Sequence, residues 1–524
     1  MHQRRCLQGW SVIRVRPVGI VQHRPVVLGR RVMGVTSTHL VSSFLAFGLG
    51  LMNYILWPRA NAENEASFFI FVVIILGYSA LQARLVYKRE RDFFWLNPAI
   101  HFALIGNFMM FVVGGMVFVL PDDYRSYDGH VTPWMVEWIW LYLFGMIALW
   151  TGYWSPWAAE LSRWVKTRPF LHRILRPEFR VNMATLWVLL SVGISAHLLR
   201  VFLGIYGYST DHEQASSSQG FSQYLSLASS LVPLVLLIVS IRYFSSLKST
   251  RKGHILLISL VLLSILMGFL SGFKSQVVMP ILLVGVGYYV VHQRLAKWVV
   301  PVGLALLFAA YAVIEPFRIA RKQDYSFESD NLFYITETIV SARAKGGGQS
   351  PALNEQIAHF TAAQFPIPLW SRGLEYAATH ESMPPTAPRF LYEILVSPAL
   401  AIVPRFVWSS KPTLIHGAWY YEEVLGGAPG TSVSISAIVY LNFAGGLFAI
   451  VLGFFVFGVV QRVMFKGLIA YGAGGLLVFL MMLSSLRVLD VYYAYIITII
   501  RLLPVALLLQ YYLLKPTPRS TRHP

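Results

Sequence analysis

Apolar residues along this chain come in uninterrupted runs of about 20, separated by short polar joints. A run of that length matches the hydrocarbon thickness of a bilayer, and a helix that crosses lipid satisfies its own backbone hydrogen bonds. None of the runs shows the every-second-residue alternation of a strand. The pattern predicts twelve spanning helices, at 37–57, 67–87, 101–120, 135–155, 184–206, 222–244, 255–273, 275–292, 298–316, 437–461, 468–485 and 491–514. The expected fold class is all-α: a polytopic helical membrane protein with one large external loop domain.

Composition agrees, with 56% hydrophobic and 13% charged residues and a mean hydropathy of +0.57. Lysine and arginine then orient the spans. The joints 88–91, 156–183, 245–254, 293–297 and 462–466 and the tail after Leu514 hold nineteen of them, against four (Arg59, Arg125, Lys274 and Arg487) in the alternate short joints. Cytoplasmic joints carry such an excess. Both termini are therefore expected in the cytoplasm, and the segment 317–436 outside. The chain divides into a basic tail (1–32), a nine-span region (33–316), the large external segment (317–436) and a three-span region with a cytoplasmic tail (437–524).

The net charge of +19 lies mostly on the cytoplasmic rim and the tail. Basic residues there fix topology and attract anionic lipids, so no nucleic-acid role is expected. The tail holds seven arginines and no acid, and Met33 directly precedes the first span, which reads as a leader outside the fold or a mis-called start. Cys6 is the only cysteine, which excludes intramolecular disulfides and a cysteine metal site. No His/Asp/Glu grouping has a metal-ligand spacing, and no nucleotide-binding glycine pattern is present.

The external segment nearly balances nine basic with ten acidic residues from Arg318 to Ser436. An ordered joint of that length is usually functional. Amphipathic helices are expected at 351–363 and 389–403, the second lying in the interface or dipping into the membrane. Arg318 and Arg321 share a helical face at i, i+3 spacing. Lys274 sits in a tight outer turn, Arg372 and Arg389 lie along the external segment, and Arg405 and Lys411 flank "FVWSS". One such cation alone is a headgroup anchor; several around one cavity suit a phosphate or pyrophosphate, which arginine grips bidentately. His416 is a candidate base, with Glu315, Glu422 and Glu423 as alternatives. Asp122 and Asp123 read as a solvated pair in an outer turn. Arg501, within the last span, needs a partner, Asp490 or Glu315, or else faces substrate.

The stretches "PRFVWSSKP" (404–412), "GGAPGTSVSISAIVYLNFAGGLFAIVLGFFVFGVVQR" (426–462) and "SGFKSQ" (271–276) resemble bacterial oligosaccharide repeat-unit polymerases of the Wzy type. That family has a Pro-Arg, an aromatic and a Lys-Pro before a serine-rich approach to a span containing an Asn-Phe-Gly-like turn. Here Ala444 stands where glycine is common, and Lys274 where arginine is.

The resemblance implies a GT-C-like enzyme of the bacterial inner membrane. Such an enzyme transfers a sugar chain from undecaprenyl pyrophosphate onto another lipid-linked repeat unit, making O-antigen or exopolysaccharide. It implies no cofactor, and membrane lipids and a chain-length regulator as partners. Arg318, Arg321, Arg405 and His416 would be catalytic, and Lys274, Arg372, Arg389, Trp408 and Lys411 would bind substrate. Trp370, Trp419, Tyr420 and Tyr421 are candidates for stacking on sugars. An O-antigen ligase using the same donor and a non-enzymatic flippase are the competing readings.

Overall fold

The computed structural model describes residues 10–13, 28–56, 61–91, 93–119, 130–175, 179–203, 205–206, 219–246, 251–323, 353–380, 384, 387–403, 407–408, 416–427, 432–483, 492–513 and 515–516. The chain is an all-α polytopic membrane protein. Among the described residues, nine helices are long and apolar enough to cross a membrane.

The first part of the chain forms α1 (Leu28–Leu56), α2 (Asn61–Arg89), α3 (Pro98–Val119), α4 (Pro133–Trp154), α5 (Pro156–Lys166) and α6 (Pro169–Ile174). Proline opens α4, α5 and α6, where a missing N–H costs nothing, and Thr132 and Ser155 cap α4 and α5 by accepting from Met135 N and Ala158 N. The middle forms α7 (Met183–Phe202), α8 (Gln219–Ser229), α9 (Leu231–Ser245), α10 (Arg251–Leu270), α11 (Lys274–His292) and α12 (Val299–Gln323). The last part forms α13 (Leu353–Ala363), α14 (Ile367–Thr379), α15 (Phe390–Ile402), α16 (His416–Trp419), α17 (Ala437–Ile469), α18 (Ala473–Leu483) and α19 (Tyr492–Leu513).

Helices stand at all twelve expected spans, but those at 298–316, 468–485 and 491–514 carry only shorter apolar stretches (Val299–Ile314, Ala473–Leu483 and Ile499–Tyr511), and 222–244 is divided between α8 and α9. One boundary moves: 462–466 is not a joint but the continuation of α17 to Ile469. Helices also stand where the external segment was expected to have them, at α13 and α15.

The chain forms two compact units. The first comprises 1–16, 178–357 and 511–524, the second 17–177 and 358–510. In the first, Trp10–Ile13, Phe179–Asn182 and Lys515–Pro516 form a short antiparallel ribbon with the middle strand from the joint before α7. The ribbon brings together three segments that were expected on the same side of the membrane. Residues of the basic tail thus take part in the fold.

The second unit is built around α4 and α17, which run parallel. At one end Trp138 Nε1 donates to Ser436 Oγ at 3.4 Å, and at the other Arg462 Nη1 donates to the Tyr153 carbonyl at 2.6 Å. Gly152 lies against the Phe455 carbonyl and Gly458 against the Leu149 carbonyl, so any Cβ at either position would strike backbone. Small residues let helices approach this closely where lipid supplies no hydrophobic drive between them. Trp138 stacks between Tyr142 (5.1 Å) and Trp370 (5.4 Å), which ties α14 to α4.

Candidate functional site

The site grows from α15, a 13-residue apolar helix, "FLYEILVSPALAI". Thirteen residues rise about 20 Å, short of the roughly 30 Å hydrocarbon core. Leu391, Leu395 and Ile402 are exposed along one side of it, whereas Glu393, Ser397 and Leu400 are buried on the other. Its last carbonyls are met by a side chain from α19: Arg501 Nε donates to Ala401 O at 3.1 Å and Nη2 to Leu400 O at 2.9 Å. Arg501 is near the middle of α19, so α15 ends deep in the bundle. Trp408 packs there too, against Leu400, Ala401 and Ile497. By His416 the chain is back beside Glu393, the fourth residue of α15. Protein groups thus satisfy the free C-terminal backbone end of α15.

Glu393 is the acid of this element, 9% exposed, and His416 is 2% exposed. His416 Nε2 donates to Glu393 Oε2, and Tyr440 OH donates to the same oxygen at 3.2 Å. A buried carboxylate is costly unless paired and hydrogen-bonded; here two donors from two other elements supply that. The carboxylate also fixes the imidazole's orientation and tautomer.

Phe390 lies against His416 at 5.7 Å between ring centroids and stacks on Phe443 at 4.9 Å. Both phenylalanines line a cleft of about 440 Å³, together with Pro388, Arg389, Leu391 and Tyr392. Arg389 is exposed at this cleft, just before the first turn of α15. Three residues beyond Tyr440, Phe443 precedes a break in α17, where Gly445 and Gly446 leave helical geometry and Gly446 takes φ +63°. The break falls within "LNFAGG", where an Asn-Phe-Gly-like turn was expected.

The other expected site residues are distributed as follows. Arg372 is exposed and paired with Glu375 at 2.8 Å one turn along α14. Lys274 opens α11 in the first unit, with its ammonium 3.6 Å from the centre of the Tyr311 ring. Arg405, Lys411, Asp122 and Asp123 lie outside the described residues, as do the side chains of Glu315, Arg318 and Arg321. Trp370, Trp419 and Tyr420 are buried: Trp370 Nε1 donates to Ser434 O at 3.0 Å, and Tyr420 OH to Leu369 O at 2.9 Å. They pack the unit and offer no face to a sugar. His416, read as a residue of an external loop, is instead buried in a helix.

Glu393 and Tyr440 were missed in the sequence. A lone acid inside an apolar run of helical length was the available signal. Tyr440 carries none, being one tyrosine among 27.

No curated protein and no solved structure matches the chain. A domain of unknown function, DUF8712, matches residues 181–488. The matched segment holds Glu393, His416, Tyr440 and the helix break, and ends before Arg501. It covers more than half of the 524 residues, and the chain belongs to the DUF8712 family.

Proposed function

We propose that this protein is a membrane glycosyltransferase that polymerises undecaprenyl-pyrophosphate-linked oligosaccharide repeat units at the outer face of the bacterial inner membrane. The observation that carries this reading is the buried Glu393–His416 pair beside a cleft with Arg389 at its edge, in a bundle that otherwise faces lipid. A lipid-linked donor needs a membrane-embedded enzyme, cations for its pyrophosphate and a base for the acceptor hydroxyl.

His416 takes the proton of the acceptor hydroxyl as its oxygen bonds to the anomeric carbon. The bond from that carbon to the pyrophosphate oxygen breaks, and its electron pair leaves on undecaprenyl pyrophosphate. Arg389 and Arg405 are the candidate cations for that developing charge, and Arg372, Trp408 and Lys411 the further substrate contacts. Access to His416 requires the Phe390 ring to move aside, since it stands against both the imidazole and the cleft. A chain-length regulator is a fitting partner, because nothing in the reaction itself counts repeats.

Electrophoresis of lipid-linked and surface glycans from a deletion strain tests this. Surface glycan reduced to single repeats supports a polymerase. Lipid-linked polymer that never reaches the surface points to a ligase, and repeat units trapped inside to a flippase; either outcome overturns the proposal.

A further inference from the structure

At the opposite end of α4 and α17 from His416 lies a second charged cluster. Glu90, 4% exposed, pairs with Lys466 at 3.3 Å and accepts from Tyr153 OH at 2.7 Å; Asn97 Nδ2 donates to that same hydroxyl at 2.7 Å. Arg462, 6% exposed, lies over the Tyr153 and Trp154 rings at 5.7 Å, and Arg89 over Trp154 at 5.4 Å. Lys166 completes the group: its neighbour Val165 packs on Gly467, next to Lys466. Burial and the neighbouring Lys466 charge lower the pKa of Lys166 from its ordinary value.

Four cations surround one described carboxylate. Even with Asp92, which lies outside the described residues, positive charge is in excess. Topology alone would be served by exposed cations, and burying Arg462 without enough counter-charge is costly. Both amide atoms of Gln461, next to Arg462, are buried with no protein partner, so hydrogen-bonding capacity is also left over.

Helix α5 supplies the other half of the argument. Trp157, Leu161 and Trp164 are exposed on one face, Ala158 and Ser162 are buried on another, and Arg163 and Lys166 lie on a third. The Arg168 guanidinium sits 3.7 Å over Trp164. Tryptophan and arginine in this arrangement mark the boundary between acyl chains and headgroups. Arg89 is exposed and Lys166 and Lys466 are half-buried, so the cluster reaches the surface beside this face of α5.

We propose that this cluster binds the phosphate headgroup of an anionic phospholipid, with Lys166, Lys466 and Arg89 on the phosphate and the α5 tryptophans against the acyl chains. The site stands independently of the glycan reading.

The test uses the full-length protein in nanodiscs of phosphatidylcholine alone or with phosphatidylglycerol, read by thermal unfolding and by native mass spectrometry of retained lipid. Phosphatidylglycerol should raise the wild-type unfolding midpoint. Each basic residue near an anionic leaflet is worth roughly fivefold in affinity, so Lys166→Gln/Lys466→Gln should bind on the order of 25-fold more weakly and lose most of that rise. Lys252→Gln/Lys297→Gln, at exposed positions elsewhere, should keep it. Should the first pair not fold, Arg89→Gln reads the same effect at roughly fivefold. Equal midpoints in the two lipids, equal behaviour of the site and control variants, or an equal rise from inorganic phosphate in neutral nanodiscs would each overturn the lipid site.

Discussion

Arg501 donates to the carbonyls of Leu400 and Ala401, so a guanidinium from the middle of α19 caps the C-terminal end of α15. A helix leaves its last carbonyls without partners, and its C-terminal end favours positive charge. In a water-poor bundle these carbonyls find no solvent, so the arginine makes the short helix possible at that depth. Arg501→Ala should lower stability by about 1–3 kcal/mol, the penalty of an unsatisfied buried polar group. Arg501→Lys should recover part of it, since an ammonium satisfies the dipole but lacks the fork that meets two carbonyls. Thermal unfolding in detergent measures both; identical midpoints for wild type and the alanine variant would remove the capping role.

The Glu393–His416 pair makes a second prediction separable from folding. His416→Ala should cut glycan polymerisation by on the order of 100–10,000-fold, the range for a lost general base. Glu393→Gln keeps a hydrogen-bonding side chain of the same shape while removing the charge that supports the imidazolium. It should retain normal membrane abundance yet lose most activity. Tyr440→Phe removes only one of the two donors and should cost least. In vitro turnover at matched protein level checks the order; a fully active Glu393→Gln would reduce the pair to packing.

How much of this was legible beforehand depended on where the partner lay. Spans were readable because bilayer thickness sets their length, and the "LNFAGG" break because two glycines interrupt an apolar helix. The end of α17 was not: Arg462 and Lys466 read as joint cations, yet their partners Tyr153 and Glu90 lie more than 300 residues earlier. His416 announced itself as titratable, but its carboxylate is 23 residues upstream inside an apolar run. For Arg501 the sequence offered only acids as partners. Backbone carbonyls, which every residue has, leave no trace in composition.

Gly446 tests whether the break in α17 is required. A Cβ there would meet open space, so any cost comes from φ +63° rather than from collision. Gly446→Ala should therefore destabilise by on the order of 1–3 kcal/mol through backbone strain alone. The neighbouring Gly445, near φ 172°, is extended backbone that any residue adopts, and Gly445→Ala should be milder. Paired thermal unfolding curves decide; if Gly445→Ala proves the more damaging, crowding against Ala449 rather than φ governs the break.

Sidedness is the last and most consequential expectation, because a site for lipid-linked glycan must open outside. The ribbon joins Trp10–Ile13, Phe179–Asn182 and Lys515–Pro516, which brings the tail, the joint before α7 and the end of α19 together. The excess of lysine and arginine in those joints is the reason to expect their side of the membrane to be the cytoplasmic one. α14 packs against α4 near Trp138, at the opposite end of that helix from Tyr153 and the cationic cluster. A reporter fused after Tyr376 should therefore be active only outside the inner membrane, and one after Lys252 only in the cytoplasm. Since Cys6 is the only native cysteine, Cys6→Ser gives a background in which single cysteines at Glu375 and Lys252 can be labelled by an impermeant thiol reagent in intact cells. Labelling at 375 and protection at 252 support the outward site. The reverse would place the Glu393–His416 pair on the wrong side for a periplasmic donor and sink the proposed reaction, while leaving the fold unaffected.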